Sequence, residues 1–519
     1  MESIKGNIFD RLTRGAFVLT AATLVVKLLG LIYKIPLSYI LSTEGLGYFN
    51  TAYTVYSLFY VISVSGVPKA MSILVPNENN KEGGYALYQV AHKSFLLIGG
   101  ALSVLLFIFS FSISNFIGSR DAAFSLIAVA PSILFTAALG VMRGYLNATC
   151  CHNEIAVSHV LEALIKLGAG IALSYLGVYL SFDVKYCAAL GILGVTLGAA
   201  LTYLYLLVSI KSGNKLNKAR QSNATCVLKR ILKISFPIAV GAFVMSISGV
   251  IDLFLVIRRL TDTGLSEEQA TAIFGSYSTF VVPLITLANA IISPIAISFI
   301  PFISSSYKNN DKDVCAAHIK RLYKTCAFIS VPIFFGLSFF PLDVLSLLFE
   351  DGKAIECAAV LSYSAPSVLL ITFFTVTATS LEACGYLKVP IIAVSLGSLV
   401  KIVVGYFMIG GEHGILGATV GTISCYLVAN VIMSFYFKRR TGTAPPIFTS
   451  YLSATVKSVV MVGATSYLST RLSLSRGSIK CAVFIIIFSA TIYFALSLIE
   501  IILTKIGIFS RQNAQKCSV

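Results

Sequence analysis

The sequence predicts an all-α membrane protein: fourteen transmembrane helices, as two six-helix lobes related by a parallel repeat plus two appended C-terminal helices. Three observations predict it. Of 519 residues, 57% are hydrophobic and only 12% are charged, whereas soluble domains carry roughly 25% charge. Apolar runs long enough to cross the hydrocarbon, about 20 residues each, recur along the whole chain. One set of sequence marks also occurs twice, in the same order.

The apolar runs lie near 14–34, 45–66, 92–113, 122–142, 155–176, 187–209, 235–257, 274–298, 322–341, 359–381, 389–409, 414–436, 450–470 and 480–503. The first is long and lacks an A-x-A site, so it is expected to remain as a span and not to be cleaved as a signal. No connection between runs is long enough to form a soluble domain. Trp is absent, which leaves Tyr and Phe to build the interfacial aromatic belts.

The marks of the repeat are Ala130-Pro131-Ser132, Ala156-Val157-Ser158, Lys166, and the glycines Gly191, Gly194 and Gly198. They return as Ala365-Pro366-Ser367, Ala393-Val394-Ser395, Lys401, and Gly414, Gly417 and Gly421. Pro131 and Pro366 stand 235 positions apart, as do Lys166 and Lys401. This divides the chain into a first lobe at 1–210, a basic cytoplasmic linker at 211–233, a second lobe at 234–440, and helices 13–14 with a tail at 441–519. Parallel repeats are one way in which transporters are built, with the working site between the repeats. The glycines, spaced by three and four, make small-residue faces for close helix packing.

The net charge of +17 would suggest nucleic acid in a soluble protein. Here the bases gather in alternate loops: Lys5, Arg11 and Arg14; Lys69, Lys81 and Arg143; the linker bases Lys211, Lys215, Lys218, Arg220, Lys229, Arg230 and Lys233; then 308–324, 438–440 and the tail. The intervening loops hold Asp183, Asp262, Glu267, Glu268, Asp343, Glu350, Asp351, Glu356 and Glu412. By the positive-inside rule both termini are expected in the cytoplasm, and no nucleic-acid partner is needed.

A charge at mid-membrane costs a few kcal/mol even on the lenient scale, so each needs a partner, a wet cavity or a ligand. Lys27 lies within the first span and Lys34 at its outer end; Lys401 is central in span 11. Glu162 and Lys166 are one turn apart in span 5 and can neutralise each other. The functional reading of Lys27, Lys166 and Lys401 is a cationic cavity between the lobes that holds an anionic headgroup, and pairing or snorkelling is the structural one; Lys34, near the interface, suits substrate binding at the outer rim or snorkelling equally. Asp252, in the outer third of span 7, suits either ion coupling or the role of counter-ion to a lysine, and Glu162 is the other acid of this kind. Arg258 and Arg259 follow at the outer rim. His159, early in span 5, reads as a packing histidine, with a proton relay as the alternative. Gly30, Pro36, Pro237, Pro283 and Pro294 interrupt spans at places where helices could bend during transport.

The eleven Cys show no C-x-x-C or Cys/His metal spacing, so neither a metal nor a cofactor is expected, and there is no nucleotide-binding loop. No outer loop pairs carboxylates with His or Arg, so an enzyme is not expected. A transporter without a nucleotide site would draw on the membrane potential or on a coupled cation such as a proton or sodium.

Several stretches resemble a known family. Val26-Lys27-Leu28-Leu29-Gly30, Glu44-Gly45-Leu46-Gly47-Tyr48-Phe49, Ser65-Gly66-Val67-Pro68-Lys69-Ala70-Met71-Ser72 and Met142-Arg143-Gly144-Tyr145, with the proline-bounded run 283–301, resemble the stage V sporulation protein B family. That family is a branch of the polysaccharide transporters, with the MurJ lipid II flippases, the O-antigen flippases and, more distantly, the multidrug and toxin extruders. The resemblance implies a flippase for an undecaprenyl-pyrophosphate-linked saccharide, a peptidoglycan precursor for spore cortex. It implies a cationic cavity open alternately to each side, a groove at spans 13–14 for the lipid tail, and cell-wall synthases as partners. Lys27 falls where MurJ-type proteins place an essential base. Tyr33 and Lys34 stand where that branch has an Arg-Asp pair, and span 8 carries no charge. The alternative, a multidrug or cation antiporter of the extruder branch, calls for acids in the cavity, and here the intramembrane bases outnumber the acids.

Overall fold

The computed structural model describes residues 2–76, 78, 81–213, 224–411, 414–441, 445–472, 475 and 477–516. The linker bases Lys215, Lys218 and Arg220, and the acid Glu412, lie outside the described residues. The described residues form helices and connections, with no strand. In order the helices are α1 (Glu2–Ile40), α2 (Thr43–Val64), α3 (Val67–Leu74), α4 (Lys81–Ile117), α5 (Ala122–Ala148), α6 (His152–Tyr179), α7 (Val184–Gly213), α8 (Ala224–Asp262) and α9 (Glu267–Ser276). A π turn (Tyr277–Val281) leads into α10 (Val282–Lys308), followed by α11 (Lys312–Phe339), α12 (Pro341–Leu348), α13 (Asp351–Ser364) and α14 (Pro366–Ala383). The last four are α15 (Lys388–Ile409), α16 (Leu416–Thr441), α17 (Ile447–Arg471) and α18 (Ile479–Lys516).

Thirteen stretches of helix among the described residues are long and apolar enough to cross a membrane. The sequence reading expected fourteen. The difference is the run at 450–470: it is helical, as α17, but rich in Ser and Thr and interrupted by Lys457. That lysine is neutralised by Glu500 of α18 at 2.7 Å, a pairing that hydropathy does not register.

The chain packs as two units, 1–279 with 394–421, and 280–393 with 422–519. The first unit has a core of Val67, Met71, Leu139, Met142, Tyr145, Leu206 and Ile231. Its α6 and α7 touch through glycine: a Cβ on Gly194 would fall 2.6 Å from the Gly170 Cα, and one on Gly198 would fall 2.9 Å from the Glu162 carbonyl oxygen. Only glycine lets the two backbones meet so closely. α7 thus clamps one side of α6 and fixes the face that carries Glu162 and Lys166. In the second unit, Phe340, Met461, Cys481, Ile485 and Tyr493 form a core that includes the last two helices. The marks of the repeat are used unequally: Pro131 lies inside α5, whereas Pro366 begins α14 after a break from α13.

Candidate functional site: a cationic cavity in the first unit

A cavity of about 410 Å³ lies among α1, α2, α5 and α6. Helical spacing explains its lining. α1 contributes Lys27, Gly30 and Tyr33, one turn apart; α2 contributes Tyr53, Tyr56 and Tyr60; α6 contributes His159, Glu162 and Lys166; α5 adds Arg143. Among the lining residues are three bases, Lys27, Arg143 and Lys166, and one acid, Glu162.

Arg143 is only 9% exposed. Its Nη2 donates to Glu162 Oε2 at 2.6 Å and to the Ser158 carbonyl at 3.4 Å, and its Nε donates to Ser158 Oγ at 3.0 Å. This corrects two expectations. Arg143 is not a loop base, because α5 runs on to Ala148. Glu162 does not neutralise Lys166, because the guanidinium from α5 offers it a charge-assisted bond braced by Ser158, and a flexible ammonium one turn away does not compete. Lys166 turns instead to aromatic groups. Its Nζ donates to the Tyr53 hydroxyl at 3.3 Å and lies 4.4 Å from the Tyr53 ring centroid and 5.7 Å from that of Tyr33. Tyr33 is anchored by donating to the Gly191 carbonyl at 3.1 Å. Lys27 makes no ion pair among the described residues. The cavity therefore offers one unpaired ammonium, one held against aromatic faces, and one guanidinium held by a carboxylate.

The other predicted residues stand elsewhere. Lys401, repeat-mate of Lys166, is 8% exposed, and its Nζ meets Asp252 Oδ2 at 2.5 Å. Asp252 thus serves as a lysine's counter-ion, and Lys401 does not line the cavity. Lys34 does not line it either; it donates to the Ser278 carbonyl at 2.6 Å, in the π turn, where the helical register slips and frees an acceptor. Arg258, expected at an outer rim, donates to the Asn115 and Phe116 carbonyls at 2.6 and 3.0 Å, the last turn of α4. Arg259 donates to the Tyr406 carbonyl at 3.0 Å and Asp262 at 2.8 Å, with its guanidinium over the Tyr406 ring at 4.2 Å. Among the described residues, no group of three His, Cys, Asp or Glu could hold a metal.

Residues 12–307 match the family described as polysaccharide biosynthesis protein. The chain belongs to that family. It is 23% identical to stage V sporulation protein B of Bacillus subtilis (strain 168) over 434 residues, which cover 81% of this chain and 82% of the relative. The solved lipid II flippase MurJ in its inward closed conformation superposes with a TM-score of 0.71 at 19% identity, covering 93% of this chain and 98% of MurJ. An inward-facing multidrug resistance MATE transporter superposes at 0.65 and 16% identity, covering 82% and 98%. These likenesses give this polysaccharide biosynthesis protein the multi-pass membrane fold shared by flippases and MATE transporters.

Within this family member, sequence reading missed Arg143 and the tyrosine face of α2. The tyrosines did leave a signal, since positions 53, 56 and 60 share one helical face. Arg143 left less, since the apolar run that precedes it looks complete without it.

The cap formed by Arg258 is testable. Arg258→Ala strips two charge-assisted bonds from the end of α4 and is expected to destabilise the protein by about 2 kcal/mol, with Arg258→Lys restoring only part. Thermal unfolding in detergent reads this directly, and an unchanged midpoint for the alanine variant would remove Arg258 from the packing account.

Proposed function

We propose that this chain is a flippase: it moves an undecaprenyl-pyrophosphate-linked saccharide, of the peptidoglycan-precursor class, across the cytoplasmic membrane by alternating access. The observation that supports this best is the excess of bases in the cavity, three against one acid. A pyrophosphate cannot enter hydrocarbon unaided, because stripping its water costs on the order of tens of kcal/mol and the tail, already in the bilayer, offsets none of it. Fixed ammonium groups in a small hydrated cavity replace that water. Lys27 and Lys166 are compact point charges, able to hold the headgroup and release it, and Arg143 with Glu162 fixes the wall behind them. On this reading the step is transport, and no bond of the cargo breaks. Both termini lie in the cytoplasm on this reading, as the alternation of basic loops favours. The driving force is the membrane potential or a coupled cation, and cell-wall synthases deliver and consume the cargo.

The direct test is flipping in reconstituted vesicles of a fluorescent undecaprenyl-pyrophosphoryl disaccharide-pentapeptide, with accessibility to an external quencher as the readout. Vesicles that hold the protein should expose the probe within minutes, and protein-free vesicles should not. Equal rates in the two, together with cation-dependent efflux of a lipophilic dye, would assign the protein to the extruder branch.

A further inference from the structure

The second unit holds a cavity of different chemistry. About 640 Å³ in volume, it lies among α11, α14, α16 and α17, with Phe334, Phe335, Leu369, Phe373 and Leu427 among its walls and no charged residue in its lining. The hydroxyls of Ser434, Tyr451 and Thr455 and one amide, that of Asn430, interrupt this apolar surface. Asn430 is 6% exposed; its Nδ2 donates to the Leu370 carbonyl at 2.9 Å, while its Oδ1 has no donor among the described residues. The orientation of the amide follows from that bond, because the flipped amide would set its oxygen against another acceptor.

An acceptor buried without a donor is destabilising, and among the described residues none of the hydroxyls that line the cavity bonds to it. Asn430 sits near the middle of α16, a helix long enough to span a membrane, where water is scarce. Leu427 and Val431, beside it in the lining, are 51% and 62% exposed, so the cavity opens at an apolar face of α16. An apolar mouth on a membrane-length helix favours a lipophilic occupant.

We infer that this cavity binds a lipophilic molecule that carries a single hydrogen-bond donor, a hydroxyl or amide N–H on an otherwise apolar body, with the donor placed on Asn430 Oδ1. The volume lies within the range of small-molecule sites, whose apolar walls supply affinity while a few polar atoms set orientation and choice. Lipid chains alone can fill the walls, but they leave the acceptor as it was.

The test pairs two probes of like chain, 1-decanol, which donates, and methyl decyl ether, which only accepts. Each competes with a diazirine-bearing decanol for photolabelling of the full-length protein in nanodiscs, with the labelled residues mapped by mass spectrometry. Labels are expected on α16 and α17, and decanol should compete at about one-fifth of the ether's concentration. Asn430→Leu should bring that ratio to about one without weakening the ether. Val431→Trp, which leaves Asn430 intact and plugs the mouth, should abolish labelling by both. Equal competition by the two probes in the wild type, a ratio unchanged in Asn430→Leu, or labels that persist in Val431→Trp would each overturn the assignment.

Discussion

Replacing Lys401 with methionine should cost this protein about 3–5 kcal/mol of stability, whereas replacing Lys401 and Asp252 together with apolar residues should cost about 1 kcal/mol or less. The asymmetry follows from where the pair lies. Lys401 is 8% exposed, and its ammonium stands 2.5 Å from the Asp252 carboxylate, on helices long enough to span the membrane. Removing one partner leaves the other as a charge in a medium that cannot solvate it, or forces it to change protonation at comparable cost. Removing both removes the problem. The comparison is Lys401→Met, Asp252→Leu and the double variant, unfolded in parallel in detergent. Losses that merely add in the double variant would show that the two groups are not coupled in the folded protein. Transport by the double variant is expected to survive, since neither residue lines the cationic cavity.

That contrast shows what a sequence can and cannot give. Lys166 and Lys401 are mates in a repeat, and position along the chain offers no way to separate them. What separates them is which helix lies opposite: Tyr53 from α2 for Lys166, Asp252 from α8 for Lys401, the latter 149 positions away. Local rules see only one helix at a time. Glu162 and Lys166 satisfy the i, i+4 pattern, but such a pair contributes only about 0.2–0.5 kcal/mol, too little to hold Glu162 against a guanidinium fixed by Ser158 as well. The spans were legible because hydropathy is a one-dimensional property of the chain. The run at 450–470 was legible too and is helical as α17, but its Ser, Thr and Lys457, the last neutralised by a residue on another helix, leave it the least apolar of the fourteen. The glycine spacing was informative in a different way, because absence of a side chain allows close approach whatever the partner. Accordingly, Gly194 and Gly198 do bring α7 against α6.

Lys27 carries the largest expected effect on function. Lys27→Ala should lower the initial flipping rate of the pyrophosphate-linked probe by at least about tenfold, the worth of one charge-assisted hydrogen bond to an ionised group. Stability should change little, because Lys27 makes no ion pair among the described residues and no partner is stranded. This separates it from Arg143→Ala, which should also slow transport but strands Glu162 in the wall and should lower the unfolding midpoint as well. Lys27→Arg is the more searching variant. It keeps the charge but presents a planar fork that can grip two phosphate oxygens at once. Binding of the probe should then hold or tighten while the flipping rate falls, since a carrier must release what it has bound. A wild-type rate in Lys27→Ala would exclude this ammonium from the cargo's path. A wild-type rate in Lys27→Arg would mean that charge alone matters there, and that release is governed by some other contact in the cavity.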